Sequence, residues 1–104
     1  AVDRFNISGN VAEVKRCAAI AEAANCPIWL QIGGLCLGIQ TTLSVHLQAT
    51  LTNDLQPCDE LPFVRENNLI GDSLEFAAGH FAVPTGNGLG IALDNDALDH
   101  YRTG

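Results

Sequence analysis

Asp59 and Glu60 close a strand-like run at residues 55–61. A carboxylate at the carboxyl end of a parallel strand is well placed to move protons, because reacting groups gather at that end of an α/β sheet. Acidic residues elsewhere more often only solvate a surface, so Glu60 is the first candidate for chemistry. The three histidines are weaker candidates. His46 sits among leucines within a helical pattern, His80 beside a turn and His100 near the last residue, and none has a cysteine or carboxylate partner that would make a nucleophilic triad. No serine occupies a G-x-S-x-G elbow. Gly86-Asn87-Gly88-Leu89-Gly90 lacks the helix that must open at the glycines of a dinucleotide loop, and the acidic residue about 20 positions further on. It reads as a turn. Cys17, Cys26, Cys36 and Cys58 have none of the close pairing of a structural zinc site, and read as small buried thiols.

Positioning Glu60 is the task of the elements before it. Residues 1–7 are short, partly apolar and followed by Ser8-Gly9-Asn10, which suits a brief strand ending in a loop. From Val11, the residues Val14, Cys17, Ala18, Ala21 and Ala24 recur at helical spacing until Asn25. Residues 26–32 form a continuous apolar run, the pattern of a strand covered by helices on a parallel sheet. Gly33-Gly34 closes it. A second helix is expected to gather Leu37, Leu43, Val45, His46, Leu47 and Leu51 near one face. Residues 55–61 then read as a third strand. Strand and helix alternating in this way predict parallel strands with right-handed crossovers. After Pro62 the pattern changes: residues 74–76 and 80–83 predict a hairpin, 84–90 a glycine-rich turn, and 94–101 a last short helix capped by an acidic residue.

Twelve acidic against five basic residues leave a net charge of −7, with the basic ones scattered. Nucleic acid and anionic membranes are therefore poor partners. No apolar run approaches the roughly 20 residues of a membrane span, so a soluble, cytoplasmic protein is expected. The chain has no methionine and opens on Ala1-Val2-Asp3, which reads as a cut end. Three parallel strands with open borders are also a poor stopping point for an independent domain, and a closed (β/α)₈ barrel takes around 250 residues.

Several segments taken together resemble the muconate-lactonizing and mandelate-racemase branch of the enolase superfamily. Ala1-Val2-Asp3-Arg4-Phe5-Asn6-Ile7 is similar to that family's sixth barrel strand, the alanine-rich stretch from Cys17 to Ala24 to the next helix, and the run from Cys26 to Ile32 to the seventh strand. Leu37-Gly38-Ile39 with Leu43-Ser44-Val45-His46-Leu47 resembles the helix after it. The tail carries the most specific likeness: Phe81-Ala82-Val83-Pro84, then Gly88-Leu89-Gly90-Ile91-Ala92-Leu93-Asp94 and a short helix to Tyr101. The resemblance implies an α/β fold, namely the C-terminal segment of a TIM-type barrel with its last three βα units, followed by a hairpin and a short helix. Residues 1–62 would be barrel, and residues 63–104 a tail closing against an N-terminal capping domain.

The resemblance also implies a lyase or isomerase that abstracts the proton α to a carboxylate, with a divalent ion, usually Mg²⁺, stabilising the enolate. The family's metal ligands lie on strands three to five, outside this chain, so no residue here is assigned as one. Glu60 aligns with a glutamate that faces the intermediate as acid or hydrogen-bond donor. Where the family has a lysine, or an aspartate working with a histidine, this chain has Ser8 and Gln31; where a glutamate precedes the next helix it has Cys36. These three are expected to line the substrate pocket. The chain is also about four residues short after Ser8 relative to the family pattern. Neither serine nor glutamine is a base at neutral pH, which favours one-sided dehydration or cycloisomerisation over racemisation. A catalytically decayed relative with a binding or structural role is the alternative reading. The implied partners are a small carboxylate, the rest of the barrel, the capping domain and further copies of the chain in a homo-oligomer.

Overall fold

The computed structural model describes residues 3–6, 11–31, 36–53, 55–58, 65–71 and 74–104, with residues 3–6 and 31 described by their backbone. Strand β1 (Asp3–Asn6) leads to helix α1 (Val11–Ala23), strand β2 (Ile28–Gln31) and helix α2 (Gly38–Ala49). A short hairpin, β3 (Phe76–Ala77) and β4 (His80–Phe81), and helix α3 (Asn95–Tyr101) follow.

β1 and β2 pair in parallel, Asp3 opposite Ile28 through Asn6 opposite Gln31. Leu55 makes a parallel bridge to Ile28 on the other border of β2, so three chain segments lie side by side in sequence order. This is the predicted βαβαβ arrangement. Of the expected third strand, 55–61, Leu55 is bridged and the Gln56 N–H donates to the Ile28 carbonyl at 3.0 Å, while residues 59–61 lie outside the described residues. β2 begins at Ile28 rather than Cys26, because Pro27 offers no N–H to a ladder.

The core lies where both helices cover β2. Ile28 and Leu30 alternate to one face and are buried, as are Val14 and Ala18 of α1 and Val45 and Leu47 of α2. α1 ends where predicted: Asn25 adopts φ 52°, and the Cys26 N–H closes on the Ala21 carbonyl at 2.8 Å. This left-handed termination satisfies carbonyls that the last turn would leave open. Thr52 donates to the Glu22 carboxylate at 2.7 Å and Asn53 to the Ala18 carbonyl at 2.8 Å, tying the segment after α2 back to α1.

α2 corrects the expected apolar stripe. Leu37 is 40% exposed, whereas Thr41, Thr42 and Ser44 are buried. Their polarity is accommodated locally: Thr42 donates to the Gly38 carbonyl at 2.7 Å, Thr41 to the Leu37 carbonyl at 3.3 Å, and Ser44 accepts from Gln48 at 3.0 Å. Hydroxyls bonded one turn back lose their polar cost and pack as small side chains.

The tail takes the predicted forms over shorter spans. The Ala78-Gly79 turn has φ 51° and 79°, the positive pair that a two-residue hairpin loop requires, and this limits β3 and β4 to two residues each. Asp94 caps α3 by accepting from the Ala97 N–H at 2.9 Å, as expected of an acidic N-cap.

Candidate functional site

The register of β1 and β2 brings Asn6 and Gln31 level at their carboxyl ends. Gln31 is thus the last residue of β2, at the rim where the parallel strands finish. Ser8, two positions past Asn6, and Glu60 lie outside the described residues, as do residues 32–35. Leu55 runs parallel to Ile28 on the other border of β2.

Cys36 lies just before α2 and packs against the cluster of Val14, Leu30 and Leu47. Its half-buried thiol is therefore part of the contact between sheet and helices. Cys58 packs against the same cluster, and its thiol donates to the Leu30 carbonyl at 2.8 Å. That contact was not anticipated from sequence; the only available signal was its place two residues before Glu60.

His46, expected to be a packed helical residue, uses Nε2 to reach the Leu89 carbonyl at 2.9 Å. Because a carbonyl only accepts, this nitrogen carries the proton. The glycine-rich segment is thereby anchored to α2 as a structural turn. Gly90 belongs there for its φ of 70° and because a Cβ would stand 3.0 Å from that of Pro84.

A strap at residues 65–71 connects this layer to the tail. The Gly38 N–H at the start of α2 donates to the Asn68 carbonyl, and the Asp94 and Gly71 N–H groups pair with Leu69 and Ala92 across the strap. Between the strap, α2 and the hairpin is a cleft of about 480 Å³ lined in part by Thr41, Glu66, Asn68, Ile70 and Phe76. Cys36 is not among the described residues that line it. Glu66 accepts a hydrogen bond from the Tyr101 hydroxyl; desolvation first, then this hydrogen bond and the Glu66 charge, raise the Tyr101 pKa above 10.0.

The alternation of parallel strands and covering helices continues into a wider relationship. The sequence profile of the Enolase C-terminal domain-like family matches residues 5–97. The chain belongs to that family. It is 34% identical over 97% of its length to chloromuconate cycloisomerase from Cupriavidus necator, and 34% identical over 90% to muconate cycloisomerase 1-1 from Acinetobacter lwoffii. A crystal structure of an enolase of the mandelate racemase subgroup from Agrobacterium tumefaciens superimposes with a TM-score of 0.76, at 26% identity over 96% of this chain. The chain spans 28% of the Cupriavidus enzyme, 25% of the Acinetobacter enzyme and 28% of the Agrobacterium protein. Among the described residues of this enolase-family segment, no helix is long and apolar enough to cross a membrane.

Proposed function

We propose that the full-length protein is a divalent-metal-dependent lyase or isomerase of the enolase superfamily, and that its reaction is cycloisomerisation of a muconate-type dicarboxylate. The observation that carries this reading is 34% identity to a chloromuconate cycloisomerase across 97% of the chain. Residues 1–62 then form the last arc of a TIM-type barrel, and residues 63–104 close against an N-terminal capping domain. The enzyme would be cytoplasmic and homo-oligomeric.

In this reading Glu60 faces the intermediate as acid or hydrogen-bond donor, and Ser8 and Gln31 line the carboxylate pocket, while Cys36, first expected there, packs instead against Val14, Leu30 and Leu47. Neutral Ser8 and Gln31 hold the substrate and leave proton transfer at the α carbon to a group on an earlier strand. Chemistry on one face needs no second base, which sets cycloisomerisation or dehydration ahead of racemisation. Among the described residues no group of three or more His, Cys, Asp or Glu could hold a metal. The described residues do not fit Mg²⁺ by themselves.

The test is turnover of cis,cis-muconate and its chlorinated analogues by the full-length protein, followed by loss of diene absorbance before and after chelation and Mg²⁺ or Mn²⁺ addition. Metal-restored lactone formation is expected. Glu60→Gln should lower kcat by roughly a hundredfold or more while leaving metal affinity within about threefold; unchanged turnover removes Glu60 from the mechanism. Ser8, Gln31 and Cys36, standing where the family has titratable groups, favour a second reading: a decayed relative that binds a carboxylate. Calorimetric binding without turnover on any of these acids would select it.

A further inference from the structure

We propose that Asn87 is a site of spontaneous covalent modification: the Gly88 nitrogen displaces its side-chain amide to form a succinimide, which water opens to isoaspartate and aspartate. The site lies in the glycine-rich turn of the tail and is independent of the functional reading above.

The sequence supplies the reacting pair. Asn87-Gly88 is the only asparagine-glycine step in the chain, and every other asparagine precedes a residue that carries a side chain. Asparagine is among the chemically labile residues. Ring closure brings the next backbone nitrogen onto the asparagine Cγ, and a Cβ on that next residue crowds the approach, whereas glycine has none.

The structure leaves this pair open. Asn87 and Gly88 are exposed, and nothing lies within 4 Å of where a Gly88 Cβ would stand. Among the described residues, neither the Asn87 side chain nor the Gly88 N–H has a hydrogen-bond partner. Other asparagines are held. Asn53 donates its side-chain amide to the Ala18 carbonyl at 2.8 Å, and Asn67 accepts from the Leu69 N–H at 2.6 Å. The nitrogen that follows Asn25 donates to the Ala21 carbonyl at 2.8 Å.

The Gly88 nitrogen gives its proton to water or hydroxide and bonds to Asn87 Cγ; the Cγ–Nδ2 bond breaks, and that nitrogen takes up the proton and leaves as ammonia. Water then adds to one ring carbonyl and breaks its bond to the Gly88 nitrogen, which regains its hydrogen. Opening at the α-carbonyl gives isoaspartate, and opening at Cγ gives aspartate. No oxidant or reductant takes part.

Isoaspartate adds a methylene carbon to the main chain and turns the Asn87 carbonyl into a pendant carboxylate. That carbonyl now accepts from the Gly90 N–H at 3.1 Å, closing the turn. The Leu89 carbonyl inside the turn accepts from His46 Nε2 at 2.9 Å. Lengthening the chain at residue 87 opens the first bond and draws Leu89 away from His46, so the modification unties this part of the tail from α2.

The experiment ages the full-length protein in warm, mildly alkaline buffer beside Asn87→Gln and freshly prepared Asn87→Asp. Peptide mapping with fragmentation that separates isoaspartate from aspartate, and amide exchange at Gly90, are the readouts. Asn87 should be the first asparagine to lose ammonia, with isoaspartate in the product. Gly90 exchange in the aged wild type should rise roughly two- to tenfold, the factor that one net hydrogen bond is worth. Asn87→Gln, whose longer side chain closes a less favourable ring, should show neither change. Asn87→Asp carries the product's charge on an ordinary main chain and should keep wild-type exchange. Ammonia loss at Asn87 no faster than at Asn53 or Asn67, or aspartate without isoaspartate, would overturn the proposal. So would an equal rise at Gly90 in aged Asn87→Gln, because the loosening would then come from elsewhere.

Discussion

The βα layer and the tail bury their apolar residues very differently. Ile28, Leu30 and Leu47 are 0%, 1% and 3% exposed beneath two helices, whereas Phe76, Val83, Leu93 and Tyr101 of the tail are 42% to 55% exposed. The layer has enough helical surface to enclose one side of its sheet. The tail is held by backbone pairs, Gly71 to Ala92 and Asp94 to Leu69, by the His46–Leu89 hydrogen bond, and by ring contacts of Phe76 with Phe81 and of His100 with Tyr101. Hydrogen bonds fix a path without supplying much net burial, and these apolar side chains of the tail stay exposed in this chain.

Substitutions in the full-length protein can break that contrast. Leu30→Ala should destabilise by about 2–5 kcal/mol, the cost of a cavity in a packed core, read by chemical denaturation. Phe76→Ala is the sharper half of the pair. With the tail closing on further protein as proposed, it should cost about 1.5–3 kcal/mol, the burial value of a large apolar side chain. A loss below about 0.5 kcal/mol, typical of open surface, would mean that the tail stays exposed.

The two regions meet at Gly38, where an added Cβ would stand 2.5 Å from the Ile70 side chain and 2.9 Å from the Asn68 carbonyl oxygen. Gly38→Ala must push the strap away and should cost about 1–3 kcal/mol, the range for overpacking. A neutral result by thermal denaturation would show that the layer and the strap are not clamped together.

The smallest effect is at Tyr101. Its folded pKa lies above the ordinary 10.0 through desolvation and Glu66. The associated stability is complete below the unfolded pKa and is lost as pH rises through the folded value, hence from about pH 10 upward. Tyr101→Phe should flatten that part of the stability profile, and an unchanged slope in alkaline melts would remove the Tyr101–Glu66 link.

Much of this was legible in order along the chain. Alanine-rich helical spacing marked α1, Asn25 its end, the apolar run β2, and Asp94 the cap of α3, because each is a local preference for backbone geometry. Glu60 was named from its place at a strand's carboxyl end and from the family pattern, Ser8 from the family pattern alone, and both lie outside the described residues. The pairing of β1 with β2 and of Leu55 with Ile28, the burial of Thr41, Thr42 and Ser44, and the thiol of Cys58 on the Leu30 carbonyl were decided by tertiary structure. Which carbonyl a thiol meets, and which face of a helix is covered, depends on neighbours distant in sequence. Periodicity reports only that some face must be buried.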